Sequence, residues 1–226
     1  CTPSLYKIDY HEKHVRYNGF HELAYLHPKH FKPDISILDE LGVSADEKII
    51  VVRFASWRAS HDVGKGVFNS MQERKKLINT LEKYGKVIIT SEISLPKEFE
   101  KNRFTFSPEK IHSLLWYSTM YVGEGLTMAT ESAILGTPSV VISPRTHFNL
   151  GNHDDLKNFE LIETFSNLSS ALPKINEILG QKDIKSLWSK RRRKLLNEKI
   201  DVTNFIIDFV ERYPQSFRDY CAKTNS

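Results

Sequence analysis

Cysteine is nearly absent. Cys1 and Cys221 stand at opposite ends of the 226 residues without CxxC or Cys/His spacing, which excludes a disulfide framework and a thiolate metal cluster and leaves free thiols. Long apolar runs are missing too: none approaches the roughly 20 residues of a membrane helix. The opening stretch from Cys1 to Asp9 does not have the form of a secretory signal, so a cytoplasmic protein without a membrane span is expected. Charge of one sign is also lacking. Lys plus Arg number 32 against 28 for Asp plus Glu, a formal net charge of +4, which is not the balance of a nucleic-acid binder. No repeat or low-complexity tract interrupts the chain, and its 40% hydrophobic and 27% charged residues are those of a folded globular protein.

What is present is an alternation of short apolar runs with helical patterns, the signature of a parallel sheet with crossover helices. Strands are predicted at Lys48–Phe54, Lys86–Thr90, Arg103–Phe106, Met120–Gly123 and Ser139–Ser143. Helices are predicted at Met71–Tyr84, Pro96–Lys101, Pro108–Tyr117 and Thr127–Leu135, the last stopped by Gly136 and Pro138. The last third reads as helical over Leu168–Leu179, Ile184–Glu198 and Val202–Val210, with Asp201 as the N-cap of the third. Residues 1–47 lack clear periodicity before Ile37 and read as a linker. The expected division is therefore 1–47 linker, 48–198 ligand-binding domain and 199–226 a C-terminal helix and tail.

The sharpest local signal is Tyr121-Val-Gly-Glu-Gly-Leu-Thr-Met-Ala-Thr-Glu131, a strand that breaks at glycines and opens a helix. A helix N-terminus offers unpaired N–H groups and about half a positive charge, which suits a phosphate. Gly123 and Gly125 allow close approach to the backbone, and the N–H groups of Leu126, Thr127, Met128 and Ala129 would face the anion. The same glycines could simply turn a strand into a helix. Glu131, placed on the first turn, could favour the helix dipole or accept hydrogen bonds from a ribose diol.

A second signal is the long loop Ala55–Ser70. With Arg53, Ser56, Trp57, Arg58, His61 and Asp62 it gathers groups that read anions and sugar hydroxyls, at the strand end where open α/β sheets bind ligands. Taken singly, Trp57 could be a packing residue and His61-Asp62 a turn. Ser91 and Glu92 end the second strand on the same rim, and Arg145 follows Ser139–Ser143. Among the histidines, the pair His27 and His30 has no carboxylate-and-His set of recognised spacing nearby, and Pro28 interrupts it, so no metal site is expected. The run Lys190–Lys194 is smeared round a helix, with Arg191 and Arg192 flanking the inward face of Trp188 and Leu195.

Gly123–Pro138, Arg53–Gly64, Tyr17–Pro28 and Lys199–Thr203 together resemble a prokaryotic family of unknown function whose members are similar to GT-B glycosyltransferases. The resemblance spans nearly the whole chain. It implies a Rossmann-like sheet with flanking helices, the C-terminal half of a GT-B architecture, without its N-terminal acceptor domain. A chain that opens on Cys1 fits that expectation of a fragment. More distantly the segment is similar to UDP-N-acetylglucosamine 2-epimerase and to the N-acetylglucosaminyltransferase that makes lipid II. By that resemblance Gly125 would hold a diphosphate and Glu131 a ribose, while the loop Phe104–Ile111, with Phe106 and Ser107, would read the base. Glu124 stands where the distant relatives have Ser, and a carboxylate beside a diphosphate costs Coulomb energy unless Arg53, Arg58, Arg145 or Mg²⁺ offsets it. Glu124 and His61 are then candidate catalytic groups. The resulting expectation is a UDP-sugar-binding domain of a glycosyltransferase or nucleotide-sugar-modifying enzyme, with no cofactor beyond Mg²⁺ on the diphosphate and an open apolar face that a second copy could cover. The alternative is a non-catalytic binding or assembly module that keeps the fold.

Overall fold

A computed structural model describes residues 1–44, 46–54, 70–91, 95–143 and 151–224. Ser56, Trp57, Arg58, His61, Asp62, Glu92 and Arg145 lie outside the described residues. The elements in chain order are β1 (Thr2–Pro3), β2 (Arg16–Tyr17), α1 (Leu23–Leu26), α2 (Ser36–Leu41), β3 (Ile49–Phe54), α3 (Met71–Leu81), β4 (Lys86–Ser91), α4 (Ile111–Tyr117) and β5 (Met120–Gly123). They continue with α5 (Leu126–Leu135), β6 (Ser139–Ile142), α6 (Gly151–Asn158), β7 (Ile162–Phe165), α7 (Leu168–Leu179), α8 (Ile184–Glu198), α9 (Val202–Glu211) and α10 (Gln215–Thr224). No helix among the described residues is long and apolar enough to cross a membrane.

The five-stranded sheet has the order β4-β3-β5-β6-β7 and every neighbouring pair is parallel. The apolar run Ile49–Val52 reads as a central strand because both of its faces are covered, and all four residues are buried. From β3 the chain steps to β4 on one side and returns to β5 on the other, so the direction of winding reverses between β3 and β5. Open sheets bind ligands in the crevice at the carboxyl ends of the two strands flanking such a reversal.

Helix α5 is buried around most of its circumference, from Ala129 and Thr130 through Ser132–Leu135. Its buried hydroxyl groups are satisfied locally: Thr130 donates to Leu126 O at 3.1 Å and Ser132 to Thr137 O at 3.5 Å, while Ser139 on β6 donates to Ala129 O of the helix at 2.9 Å. Gly136 ends the helix at φ +83°, a left-handed conformation that side chains disfavour.

Cations from distant segments hold the C-terminal carbonyls of several helices. Lys48 Nζ donates to Leu179 O of α7 at 2.8 Å, and Arg192 Nε to Ile134 O of α5 at 2.9 Å. Lys86 Nζ reaches Leu41 O of α2, and Lys185 Nζ reaches Trp116 O of α4 at 3.0 Å. Such partners satisfy carbonyls that a helix end leaves open, and they favour its negative pole.

Several expectations are corrected. Arg103–Phe106 is no strand: a single bridge joins Arg103 to Ile89 before Phe104 and Phe106 pack edge to face at 5.5 Å. Pro96–Lys101 is a 3₁₀ stretch over Lys97–Asn102, and Pro108–Lys110 forms a 3₁₀ turn ahead of α4. Helices α6 and α10 and strand β7 have no counterpart in the sequence reading. The aperiodic first 47 residues contribute Val15, Tyr17, Phe20, Leu23 and Leu26 to the buried interior.

Candidate functional site

The site lies where β3 and β5 end side by side. Arg53 and Gly123 are register partners across the two strands, and the Glu124 N–H donates to Arg53 O at 3.3 Å. A Cβ on Gly123 would lie 2.7 Å from Tyr121 Oη and 2.8 Å from Arg53 O, so only glycine lets the strand turn here. A Cβ on Gly125 would lie 3.0 Å from Arg53 Cδ and 3.2 Å from its Nε. The Arg53 side chain therefore crosses the backbone at the start of α5.

Tyr121 pins this turn from below. Its hydroxyl donates to Gly125 O at 3.1 Å, and burial pushes the phenol upward from its ordinary range. Gly125 is the N-cap of α5 and supplies no capping side chain. Of the four N–H groups expected to face an anion, that of Ala129 is already donated to Gly125 O at 3.1 Å. The groups of Leu126, Thr127 and Met128 belong to the first turn, whose N–H groups have no partner within the helix. Thr90 donates to Met128 Sδ at 3.8 Å, which brings the end of β4, with Ser91, to the same rim. Glu124 sits inside the turn, only 6% exposed.

Glu131 falls on the second turn of α5, not the first, because the helix begins at Leu126. Thr127 and Glu131, four positions apart on the helix, nonetheless share one face. Two partners fix the Glu131 carboxylate: Tyr25 Oη donates to Oε1 at 2.9 Å, and His112 Nε2 lies 3.1 Å from the same oxygen. Tyr25 comes from α1 and His112 from α4, and their rings approach at 5.5 Å. Burial, followed by the neighbouring Glu131 charge, pushes the Tyr25 phenol upward. Glu22, one turn before Tyr25, has a buried Oε2 without a hydrogen-bond partner among the described residues, and burial raises its carboxyl.

Glu22, Tyr25 and His112 were not legible as site residues, although the first two belong to the Tyr17–Pro28 motif. The i, i+3 spacing of Glu22 and Tyr25 is their only local signal. Half-buried Phe106 and exposed Ser107 stand just ahead of the short 3₁₀ turn that leads into α4 and His112. On the opposite flank of α5, buried His153 of α6 meets Thr130 Oγ1 at 3.1 Å. The Thr130 proton is engaged by Leu126 O, so His153 Nε2 is the donor.

The parallel five-stranded α/β fold is similar to GT-B glycosyltransferase-like folds. Over 87% of this chain and 53% of the other, the fold is similar to that of a Listeria monocytogenes protein described as a UDP-N-acetylglucosamine 2-epimerase, with TM-score 0.57 and 12% identity. The wall teichoic acid polymerase TagF aligns over 84% of this chain and 48% of its own at TM-score 0.49 and 13% identity. The glycotransferase of kitacinnamycin aligns over 75% and 43% at TM-score 0.48 and 14% identity. The chain thus spans about half the length of these structures. A search of curated proteins returns no match. The chain belongs to DUF354, a family of proteins of unknown function whose profile matches residues 4–215.

Proposed function

We propose that this chain is the nucleotide-sugar-binding half of a GT-B-like glycosyltransferase or nucleotide-sugar-modifying enzyme, with a UDP-sugar as the ligand. The observation that carries the reading is the Glu131 carboxylate, held by Tyr25 and His112 on the same helix face as the open N-terminus of α5. In this reading the N–H groups of Leu126, Thr127 and Met128 bind the diphosphate across Gly123 and Gly125, and Arg53, helped by Mg²⁺ where needed, offsets its charge. Ser91 at the end of β4 is a further proposed phosphate contact, and Arg145, Glu92, Ser56 and Trp57, which lie outside the described residues, are proposed as contacts to the same ligand. Glu131 accepts the ribose hydroxyls, while Phe106 and Ser107 border the base.

Chemistry would follow from charge that develops on the departing diphosphate, where fixed N–H groups and Arg53 stabilise the transition state more than the ground state. Glu124 and His61 are the proposed proton-transfer groups, and an acceptor domain outside this chain supplies the second substrate. Isothermal titration with UDP and UDP-sugars tests the reading: saturable binding that Glu131→Ala weakens at least tenfold supports it. Unchanged UDP affinity in that variant removes Glu131 from the site, and no binding by any nucleotide overturns the assignment for this chain. The buried Glu124 carboxylate at the phosphate position favours one competing reading, a non-catalytic binding module. Gain of UDP affinity in Glu124→Ser without any turnover by the full protein would support that module.

A further inference from the structure

Two of the sequence motifs, Tyr17–Pro28 and Lys199–Thr203, take no part in the nucleotide reading beyond Tyr25, and their ends meet in space. His27, His30 and Asp201 each offer one ligand atom, and these atoms all lie within 4.8 Å of one another. The sequence could not reveal the group, because the carboxylate lies 171 positions from His30. His30 Nε2 is 3.1 Å from Asp201 Oδ1, close to the separation of about 3.3 Å between two donors that share a tetrahedral ion with bonds of about 2.0–2.1 Å. The carboxylate is braced from behind: Lys29 Nζ and Asn204 Nδ2 donate to Oδ2 at 3.2 Å and 2.9 Å. Donors bonded to the carboxylate oxygen that faces away from an ion orient the ligating one. The Asn204 N–H donates to Oδ1 at 3.2 Å and seats Asp201 as the N-cap of α9.

We propose that His27, His30 and Asp201 form a binding site for a divalent transition-metal ion of the zinc class, independent of the nucleotide site, with solvent completing the coordination. Two imidazoles and one carboxylate suit zinc, and they leave open the position that a closed structural site would fill. On binding, the ion takes the Nε2 lone pair of His30, and the ring proton now shared with Asp201 moves to Nδ1. Asp201 Oδ1 exchanges that proton for the ion and keeps the Asn204 N–H. His27 contributes one ring nitrogen; its Nδ1 now accepts a long 3.3 Å bond from the Lys29 N–H, which the ion must displace if it binds there. The charge of Lys29 opposes the incoming cation, so the affinity is lower than that of a closed zinc site.

Cobalt(II) titration of this chain in the reduced state reads the site directly. The expected result is the visible ligand-field absorption of a four- or five-coordinate ion, saturating at one equivalent and abolished by Zn²⁺. His30→Ala and His27→Gln should each weaken binding at least tenfold. Asp201→Asn should do the same while keeping α9 capped, because Asn is as good an N-cap as Asp. Circular dichroism checks that each variant is folded. Absence of the absorption, or its persistence in both histidine variants, overturns the proposal. UDP binding is measured in the same samples and should not change, which separates this site from the nucleotide reading.

Discussion

Lys199 Nζ lies 2.6 Å from Asp155 Oδ2, and both side chains are almost wholly enclosed. The ammonium also sits 5.5 Å from the Phe20 ring centroid and 5.4 Å from that of Phe159, and it donates to Asn18 Oδ1 at 3.0 Å. One cation thus joins the N-terminal segment, α6 and the junction between α8 and α9. The aromatic faces add cation–π attraction in surroundings where water cannot compete.

Breaking that pair from one side should be costly. Lys199→Met leaves Asp155 buried and uncompensated, and denaturant unfolding should show a loss of about 3–5 kcal/mol. The double variant Lys199→Met with Asp155→Leu should recover much of it, since the charge left without a partner is then gone. A loss below about 1 kcal/mol in the single variant would mean that water reaches the pair.

Gly123→Ala should destabilise by about 1–3 kcal/mol through overpacking. The added methyl meets Tyr121 Oη and the Arg53 carbonyl, and the carbonyl belongs to the paired backbone of β3. Tyr121→Phe in the same chain relieves only the first contact, so thermal melts should show partial rescue at most.

Tyr25→Phe should weaken UDP binding about fivefold, the worth of one hydrogen bond to the carboxylate at about 1 kcal/mol. The change leaves the ring in place, so the melting temperature of the free protein should move little. Equal UDP affinity by titration calorimetry would show that Tyr25 does not prepare Glu131 for a ligand.

His153 sets a pH dependence. Burial chiefly, with Lys157 adding to it, lowers its proton affinity against the smaller opposite effects of Leu126 O and Asp154. The unfolded chain therefore binds the proton more readily. The associated stability is present above the unfolded value of about 6.5 and is lost as pH falls below it, by at most about 1.4 kcal/mol per pH unit. Urea midpoints measured from pH 7.5 to 5 should fall more steeply in the natural chain than in His153→Gln; parallel slopes would show that His153 charges as freely in the folded state as in the unfolded one.

The central sheet was legible because its strands are short apolar runs and because α5 and α7 end at glycine. Strand β7 escaped because only Ile162 of its four residues is buried, and α6 because Leu156 is its single large apolar residue. The rim formed by Arg53, Gly123 and Gly125 could be read from strand ends alone. The partners of Glu131 could not, because Tyr25 lies 106 positions away on a four-residue helix. His27 and His30 failed for the same reason: their carboxylate is supplied by tertiary contact, and local spacing carries no trace of it.

The lysines and the arginine that hold the C-terminal carbonyls of α2, α4, α5 and α7 give the molecule a polarity that its small net charge conceals. In a parallel α/β fold the helices run against the strands, so these carbonyl ends gather at the amino edge of the sheet and the amide ends at the carboxyl edge. Cations cancel the negative poles at the first edge, while at α5 Gly125 brings no side chain to offset the positive pole at the second. The amino edge is thereby quieted, while at the carboxyl edge the positive pole of α5 meets the Glu124 carboxylate, buried in the turn just ahead of the helix, so the two edges differ in which partner neutralises them.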